Sequence, residues 1–286
     1  RKRGSTLLKI ICSTGGKGGV GKSTFAILLA YRLASKGKKV LLCDVDVECP
    51  NDYLITGKRL RGGESVWLAI PQIIPEKCKK CGECAKVCRE HAIFIAKNGF
   101  PQIMEERCNS CGACFLVCKN QALKKKKKLA GKIFINRINK NLYLVTGMAK
   151  EGLTETTPVV NETKKKGIEI GQKLNAEYLI IDTAPGIHCN VIHALMGADK
   201  VFVVTEPTPL GAYNLERMLD LLHQLSLNSG VVINRAGVGK NEEIMKIASK
   251  YGVDINLEIP YSEKLVNGYC NAKLEDFQNM VKEVDI

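Results

Sequence analysis

The sequence predicts a doubly wound α/β fold with a mostly parallel sheet, into which a small α+β domain is inserted. Short, continuous apolar segments are typical of strands covered on both faces, and they occur at residues 7–12, 39–43, 178–181, 200–205 and 230–233. Helical patterns alternate with them at residues 24–35, 191–196, 215–225, 242–250 and 274–284. Between residues 66 and 123 the composition becomes rich in cysteine, which indicates the insert.

Composition and cysteine use exclude several classes of protein. The chain has 286 residues, of which 45% are hydrophobic, enough for one large core and an insert. No apolar run approaches the roughly 18 residues of a membrane helix. The short segment behind Arg1-Lys2-Arg3 does not resemble a secretory signal, so we expect a cytoplasmic protein without membrane insertion. In a reducing compartment, grouped cysteines among a total of 13 indicate metal or cluster ligands rather than disulfides.

The chain is strongly basic, with a net charge of +14 and lysine runs at residues 124–128 and 164–166. Such charge can bind nucleic acid. It can also form a surface that keeps the protein in solution, or one that binds an acidic redox partner. Because no basic helix carries interleaved aromatic residues, nucleic acid is the disfavoured partner. The first lysine run is expected to be an exit linker, which gives an outer domain of residues 1–65 and 124–286 and an insert of residues 66–123.

A phosphate-binding loop is predicted from Gly16 to Ser23, where the sequence reads Gly-Lys-Gly-Gly-Val-Gly-Lys-Ser between a strand and a helix. The glycines let backbone N–H groups close around phosphate oxygens, and the start of the helix adds a favourable dipole. Lys22 is expected to reach the β- and γ-phosphates, and the Ser23 hydroxyl to bind Mg²⁺.

This loop resembles the deviant Walker A motif of the MinD/ParA family, which includes nitrogenase iron proteins and Mrp-type cluster carriers. The resemblance implies that Lys17 reaches the nucleotide of a partner subunit in an ATP-bound homodimer. It also implies that Asp44 supports the Mg²⁺ shell, that Asp46 orients the attacking water, and that Asn51 lies near the nucleotide across the dimer.

Further elements follow in the family's order. Asp182 ends an apolar strand, where a carboxylate can hold Mg²⁺ through water. By resemblance, Asn234 reads the adenine base, and residues 205–208 match a family segment. The predicted nucleotide contacts are Gly16, Gly18, Gly19, Val20, Gly21, Lys22, Ser23, Thr24, Asn51 and Asn234, and the catalytic set is Lys17, Lys22 and Asp46.

The insert contains an internal repeat of the pattern Cys-x₂-Cys-x₂-Cys-x₃-Cys, which is the spacing of bacterial two-cluster ferredoxins. In this pattern the fourth cysteine binds the cluster of the other copy. The spacing therefore predicts two [4Fe–4S] clusters, one held by Cys78, Cys81, Cys84 and Cys118 and the other by Cys108, Cys111, Cys114 and Cys88.

Zinc is the alternative ligand of such a repeat, but zinc pairs usually have longer spacers. The sequence also departs from the ferredoxin pattern, because Arg89 and Lys119 replace the usual proline after each fourth cysteine. Of the other cysteines, Cys12 and Cys43 are predicted to be buried apolar groups, and Cys189 a structural or switch-region thiol.

Together these motifs resemble MinD-superfamily ATPases with an inserted ferredoxin domain. The resemblance implies an ATPase in which nucleotide-driven dimerisation controls electron transfer to a redox partner. The alternative is an ATP-dependent carrier or assembly protein for clusters or metallocofactors. Spatial positioning, as in MinD and ParA, is less favoured because the C-terminal segment carries several acidic residues instead of a basic amphipathic helix.

Overall fold

Strands and helices alternate along the computed structural model, which describes residues 7–282 and 284. The strands are β1 (Lys9–Thr14), β2 (Val40–Asp44), β3 (Glu64–Ile73), β4 (Ile93–Ile95), β5 (Pro101–Ile103), β6 (Leu123–Arg137), β7 (Leu142–Ala149), β8 (Tyr178–Asp182), β9 (Lys200–Thr205), β10 (Ser229–Ala236) and β11 (Ile255–Pro260).

The α-helices are α1 (Lys22–Ser35), α2 (Asp52–Ile55), α3 (Glu83–Lys86), α4 (Ala113–Val117), α5 (Thr157–Leu174), α6 (Cys189–Leu195), α7 (Pro209–Gln224), α8 (Glu242–Lys250) and α9 (Glu263–Cys270). Short 3₁₀ helices occur at Pro75–Lys77, Glu105–Arg107 and Leu274–Val281. Among the described residues, no helix is long and apolar enough to cross a membrane. Arg1-Lys2-Arg3 and residue 283 of the predicted terminal helix lie outside the described residues.

The chain divides into two units. The first contains the described residues of 1–63, 133–148 and 160–286, and the second contains residues 64–132 and 149–159. The second unit includes all of residues 66–123 and extends over the strands that flank them.

The sheet of the first unit is mostly parallel, as the sequence predicts. Its strand order is β11-β10-β9-β1-β8-β2-β7-β6, in which β7 follows β6 through a tight turn and the pairs from β11 to β7 run parallel. The register places Ser13, Asp182, Asp44 and Thr146 in one row across four neighbouring strands. These positions lie at the carboxyl ends of the strands, where open α/β sheets bind their ligands.

The core of the first unit lies around α1 and the central strands. The ring of Phe25 in α1 meets the ring of Phe202 in β9 edge to face, with centroids 5.3 Å apart and planes at 71°. Both side chains are fully buried. Because α1 begins at the end of the predicted phosphate loop, this packing fixes the direction in which the helix leaves the loop.

The prediction that residues 124–128 form an exit linker is wrong. They lie within β6, which continues to Arg137. Lys124–Lys127 are exposed, Lys126 Nζ lies 2.6 Å from Glu105 Oε1, and Lys128 Nζ donates to the Glu105 carbonyl. This segment forms a strand because its backbone pairs with a neighbouring strand. Lysine side chains give no signal for such pairing, so the strand could not be predicted from them.

In the second unit, β4 and β5 pair as an antiparallel hairpin, and the connection between them contains Asn98-Gly99, a dipeptide typical of tight hairpin turns. Each copy of the cysteine repeat begins with a three-residue 3₁₀ helix and continues into a short α-helix, α3 or α4. β3 is the neighbour of β6 in the order of the strands.

We predict that Phe25→Ala lowers the free energy of unfolding of the nucleotide-free protein by about 3–5 kcal/mol, since it leaves a cavity against Phe202. Chemical denaturation measures the change. Met245→Ala in α8, where the side chain is 55% exposed, is the control and should change the free energy by about 0.5 kcal/mol or less. Equal losses in the two variants would contradict the assigned core.

Candidate functional site

The predicted phosphate loop connects β1 to α1, and its last glycine, Gly21, packs closely against the end of β10. Gly21 has a φ of +99°, and a Cβ built there would lie 2.2 Å from Asn234 Nδ2. The Asn234 amide donates to the Val20 carbonyl over 2.8 Å. Only glycine satisfies both constraints, so the end of β10 packs directly against the loop.

A cavity of about 490 Å³ opens at this loop. It brings together nine of the predicted residues, namely Gly18, Gly19, Gly21, Lys22, Ser23, Thr24, Asp46, Asn51 and Asn234. Gly16, Lys17, Val20, Asp44 and Asp182 lie outside its lining. The rest of the lining comes from Pro185 and Arg235, which belong to the predicted segments around Asp182 and Asn234, and from residues that no sequence motif predicts, namely Pro260, Tyr261, Ser262, Leu265, Val266, Tyr269 and Cys270.

Oxygen ligands suited to Mg²⁺ meet where α1 begins. The Ser23 hydroxyl donates to Asp182 Oδ2 over 2.5 Å, and Asp182 is buried. Burial raises the pKa of Asp182 to about 7, although the bond from Ser23 and the charge of Lys22 oppose the increase. A hydroxyl and a carboxylate beside the phosphate loop fit a hard cation that takes oxygen ligands, so the predicted Mg²⁺ site is chemically consistent.

Asp44 organises the loop that follows β2. Its Oδ1 accepts from the backbone N–H of Asp46 at 3.1 Å, and its Oδ2 accepts from those of Asn51 at 3.0 Å and Asp52 at 3.1 Å. Burial raises the pKa of Asp44 well above its usual range, as does the neighbouring charge of Asp182. Through these bonds Asp44 places Asp46 and Asn51 at the cavity wall.

Asp52, the first residue of α2, is a functional candidate that sequence reasoning missed. It is fully buried, and neither of its carboxylate oxygens has a hydrogen-bond partner among the described residues. One oxygen from each of Asp44, Asp52 and Asp182 lies within 4.8 Å of the other two. Burial and the charges of Asp44 and Asp182 raise the pKa of Asp52 well above its usual range.

Lys17 forms an ion pair within its own chain. Its Nζ lies 2.5 Å from Glu206 Oε1, while Arg235 Nη1 lies 2.7 Å from Glu206 Oε2 and Arg235 Nη2 donates to the Gly19 carbonyl. The Glu206 side chain is 8% exposed. Burial raises its pKa, but the bonds and charges of Lys17 and Arg235 outweigh this effect and lower it overall.

The eight repeat cysteines lie at two separate cavities in the second unit. Cys78, Cys81, Cys84 and Cys118 line one cavity. Cys88, Cys108, Cys111 and Cys114 line the other. The structure thus groups the thiols in the two predicted sets of four, including the exchange of the fourth cysteine between copies.

The two copies also share a backbone conformation. Positive φ angles occur at equivalent positions, at Lys80 (56°) and Ser110 (64°), and at His91 (50°) and Gln121 (48°). Such angles are unfavourable for residues other than glycine, so they mark a loop shape that the surroundings impose.

Backbone N–H groups point at the fourth cysteine of each copy. The N–H of Ala92 donates to Cys88 Sγ, and that of Ala122 donates to Cys118 Sγ, both over 3.2 Å. N–H donors of this kind stabilise a thiolate and tune the potential of an iron–sulfur site. The donor set of four free thiols therefore fits a [4Fe–4S] cluster at each cavity.

The remaining cysteines differ in their surroundings. Cys12 and Cys43 are fully buried in β1 and β2, as predicted, and burial raises the pKa of Cys12 to about 12. Cys189 is exposed at the start of α6. Cys270 is exposed at the wall of the nucleotide cavity.

Three comparisons bear on these sites. The uncharacterized protein MJ0579 of Methanocaldococcus jannaschii is 35% identical over 97% of this chain and 96% of its own length. An iron-sulfur cluster carrier protein of Rickettsia bellii is 24% identical over 93% of this chain and 65% of its own length. The fold is similar to that of the septum site-determining protein MinD of Pyrococcus horikoshii, solved with Mg-ADP, with a TM-score of 0.58 and 17% identity over 97% of this chain and 93% of that one.

The model of the CobQ/CobB/MinD/ParA nucleotide binding domain matches residues 11–274, a span that contains the phosphate loop, both acidic strand ends and the Asn234 turn. With that match over most of its length, the chain belongs to the CobQ/CobB/MinD/ParA family of nucleotide-binding domains.

Proposed function

We propose that this protein is an ATP-binding and ATP-hydrolysing iron–sulfur protein, in which nucleotide-driven dimerisation controls electron transfer from two [4Fe–4S] clusters to a partner protein. The observation that carries the proposal is the grouping of eight cysteines into two sets of four in a chain that also forms a nucleotide cavity. The clusters, when bound, would each accept and donate one electron.

The nucleotide half of the proposal rests on positioning. Backbone N–H groups of the loop and Lys22 would hold the phosphates, and Asp46 at the cavity wall would orient a water molecule toward the γ-phosphate. Mg²⁺, when bound near Ser23 and Asp182, would neutralise charge on the phosphates. The family relative from Pyrococcus horikoshii, which was solved with Mg-ADP, supports this choice of ligand.

Lys17 is proposed to stabilise the dimer by contacting the nucleotide of the partner subunit. In the single chain its ammonium group is neutralised by Glu206, which also pairs with Arg235. The γ-phosphate of a partner subunit offers a competing anion of higher charge. Lys17 would exchange Glu206 for that phosphate, while Arg235 continues to neutralise Glu206, so the exchange leaves no buried carboxylate unpaired.

An ATP-dependent cluster carrier is the second candidate, because the relative from Rickettsia bellii is named an iron-sulfur cluster carrier protein. A carrier must release its clusters, whereas each cavity here presents four thiols from one chain, which favours retention. Incubation of the iron-loaded protein with an apo-ferredoxin distinguishes the candidates. Retained iron supports electron transfer, and ATP-dependent loss of iron to the acceptor supports the carrier.

We predict that Cys118→Ser, in protein purified without oxygen, removes one cluster or converts it to a three-iron form. The residue is expected to ligate the cluster of the first copy although it belongs to the second. Iron analysis and EPR of the reduced protein measure the change. Cys270→Ser is the control, since this exposed thiol lies outside both sets, and it should keep the wild-type iron content. An unchanged spectrum in Cys118→Ser would contradict the assignment.

We predict that Asp46→Ala accumulates as an ATP-bound dimer, because ATP binding survives while the attacking water is no longer oriented. Light scattering with ATP and with ADP measures the mass. Lys17→Ala is the matched comparison and should remain monomeric with ATP, as it lacks the group that reaches the partner's phosphate. If Asp46→Ala is monomeric with both nucleotides, the dimer mechanism is wrong.

The coupling between the two sites is the decisive test of the proposed function. The chain enters the second unit at Glu64, only 12 residues after Asp52 and the loop that carries Asp46 and Asn51. We predict that cluster reduction changes the affinity for an ATP analogue by about 5- to 150-fold, and that the analogue changes the cluster EPR signal reciprocally.

Binding to oxidised and dithionite-reduced protein measures this coupling. Lys22→Ala is the control, since loss of the phosphate contact should abolish the nucleotide effect on EPR and leave the iron content unchanged. Identical affinities in the two redox states, together with unchanged spectra, would refute gated electron transfer.

A further inference from the structure

The two cysteine cavities have similar backbones but differ in the charge around them. The first cavity is lined by Cys78, Cys81, Cys84 and Cys118, and the second by Cys88, Cys108, Cys111 and Cys114. Alignment of the two copies of the repeat pairs each residue beside the first cavity with one beside the second. Differences between paired residues therefore show how the surfaces of two similar sites diverge.

The loop between the first two cysteines is basic at the first cavity only. Lys79 and Lys80 are exposed there, and Lys79 lines the cavity. The paired residues at the second cavity are Asn109 and Ser110, which are uncharged, half-buried and part of the lining. The first cavity therefore has two positive charges at an edge where the second has none.

The segments that begin the following strands differ in the same direction. Leu123 lines the first cavity and is followed in β6 by the exposed Lys124 and Lys125. Ile93 lines the second cavity and is followed in β4 by exposed apolar side chains at residues 94–95. The start of the lysine run thus lies beside one cavity, and its counterpart beside the other carries no charge.

A cation directly follows the fourth cysteine of each copy, but its surroundings differ. Lys119, after a cysteine of the first cavity, is followed by the neutral Asn120. Arg89, after a cysteine of the second cavity, is followed by Glu90, which also lines that cavity. A carboxylate therefore offsets the cation at the second cavity and not at the first.

The acidic residue at the first cavity does not cancel its positive charge. Glu83 lines that cavity, but Lys86 Nζ lies 2.8 Å from its Oε1. In the described part of the chain, five exposed cations beside the first cavity have no ion-pair partner, namely Lys79, Lys80, Lys119, Lys124 and Lys125. At the five paired positions the only cation is Arg89.

We propose that this basic surface docks an acidic electron-transfer protein, and that electrons leave through the cluster of the first cavity. The inference rests on the proposed electron-transfer function and adds the charge of the partner and the identity of the exit cluster. One electron passes from the reduced cluster of the first cavity to the oxidised centre of the partner, which is thereby reduced. The cluster of the second cavity then returns one electron to the first.

An acidic protein fits this surface better than nucleic acid does. Complementary charge accelerates the encounter of two proteins, and complexes for electron transfer are small and short-lived. Exposed lysines can supply such attraction without a fixed contact geometry. The cations also surround one predicted redox site and are nearly absent from the equivalent surface of the other, which favours a partner that must approach that one cluster.

The test measures electron transfer from dithionite-reduced, desalted protein to an acidic bacterial flavodoxin, with and without ATP and over a range of salt concentrations. The absorbance of the flavin gives the rate constant. For the wild type it should fall as salt is added, because salt screens the attraction between opposite charges. Lys119→Glu should lower it about three- to tenfold at low salt. Lys119→Gln, with half the change in charge, should give an intermediate value.

Arg89→Glu is the matched control, since Arg89 occupies the paired position and follows a predicted ligand of the other cluster. It should change the rate constant by less than about twofold. Iron content and electron transfer to a small uncharged quinone should be the same in all variants, which shows that their clusters are intact. Equal losses in Lys119→Glu and Arg89→Glu would overturn the proposal, as would a wild-type rate constant that does not fall with salt.

The quinone separates this inference from the proposed function. Electron transfer by the wild type to the quinone but not to flavodoxin would refute the docking surface and leave an iron–sulfur electron carrier. Absence of clusters, or of transfer to either acceptor, would refute both. Binding of labelled duplex DNA that is lost in Lys119→Glu, with an unchanged flavodoxin rate constant, would assign the surface to nucleic acid and overturn the proposal.

Discussion

The carboxylate of Asp44 is the constraint on which the nucleotide site depends. Three backbone N–H groups, from Asp46, Asn51 and Asp52, converge on its two oxygens. Intramolecular hydrogen bonds contribute about 0.5–1.5 kcal/mol each, so three of them on one side chain can define the course of this loop. The loop in turn supplies Asp46 and Asn51 to the cavity and begins the helix that carries Asp52. A change of charge at Asp44 is therefore transmitted to the cavity wall through backbone bonds.

Charge neutralisation is organised differently on the other side of the phosphate loop. Glu206 neutralises Lys17 and Arg235 together, and Arg235 reaches the Gly19 carbonyl in the loop itself. One carboxylate therefore holds the lysine that the family resemblance assigns to the partner's nucleotide. Because Arg235 supplies a second cation, Lys17 can leave Glu206 at a smaller cost than the loss of an isolated ion pair. This arrangement suits a lysine that must change its partner.

Local motifs allowed most of the fold and many site residues to be predicted. The phosphate loop and the cysteine sets were predicted from spacing within a few residues, and the acidic strand ends in part from the family resemblance. The structure brings nine of the predicted nucleotide residues to one cavity and the eight cysteines to two others. The strand of lysines in β6, the helix α5 and the cavity wall around α9 were missed, since they depend on pairing and packing between distant segments. Asp52 was missed as a functional candidate because its significance depends on Asp182, which is distant in sequence, as well as on the nearby Asp44. Glu206 lies in a segment that matches the family, but its pairing with Lys17 and Arg235 joins residues that are far apart in sequence and was not predicted.

The cysteine repeat and the predicted nucleotide site differ in what fixes their geometry. In the cysteine repeat, equivalent residues adopt the same positive φ angles although their side chains differ, as at Lys80 and Ser110. Because this conformation is unfavourable for each residue and still occurs in both copies, the path of the loop is what the two copies have in common. At the predicted nucleotide site the geometry depends in part on an ion pair whose partner can be exchanged, because Glu206 contacts both Lys17 and Arg235. On the proposed mechanism, a change in nucleotide would act on a charge arrangement with alternative partners, whereas backbone shape sets the loop path of the two cysteine repeats. Any control by ATP should begin at the charges and reach the cysteine sites through the chain that joins them.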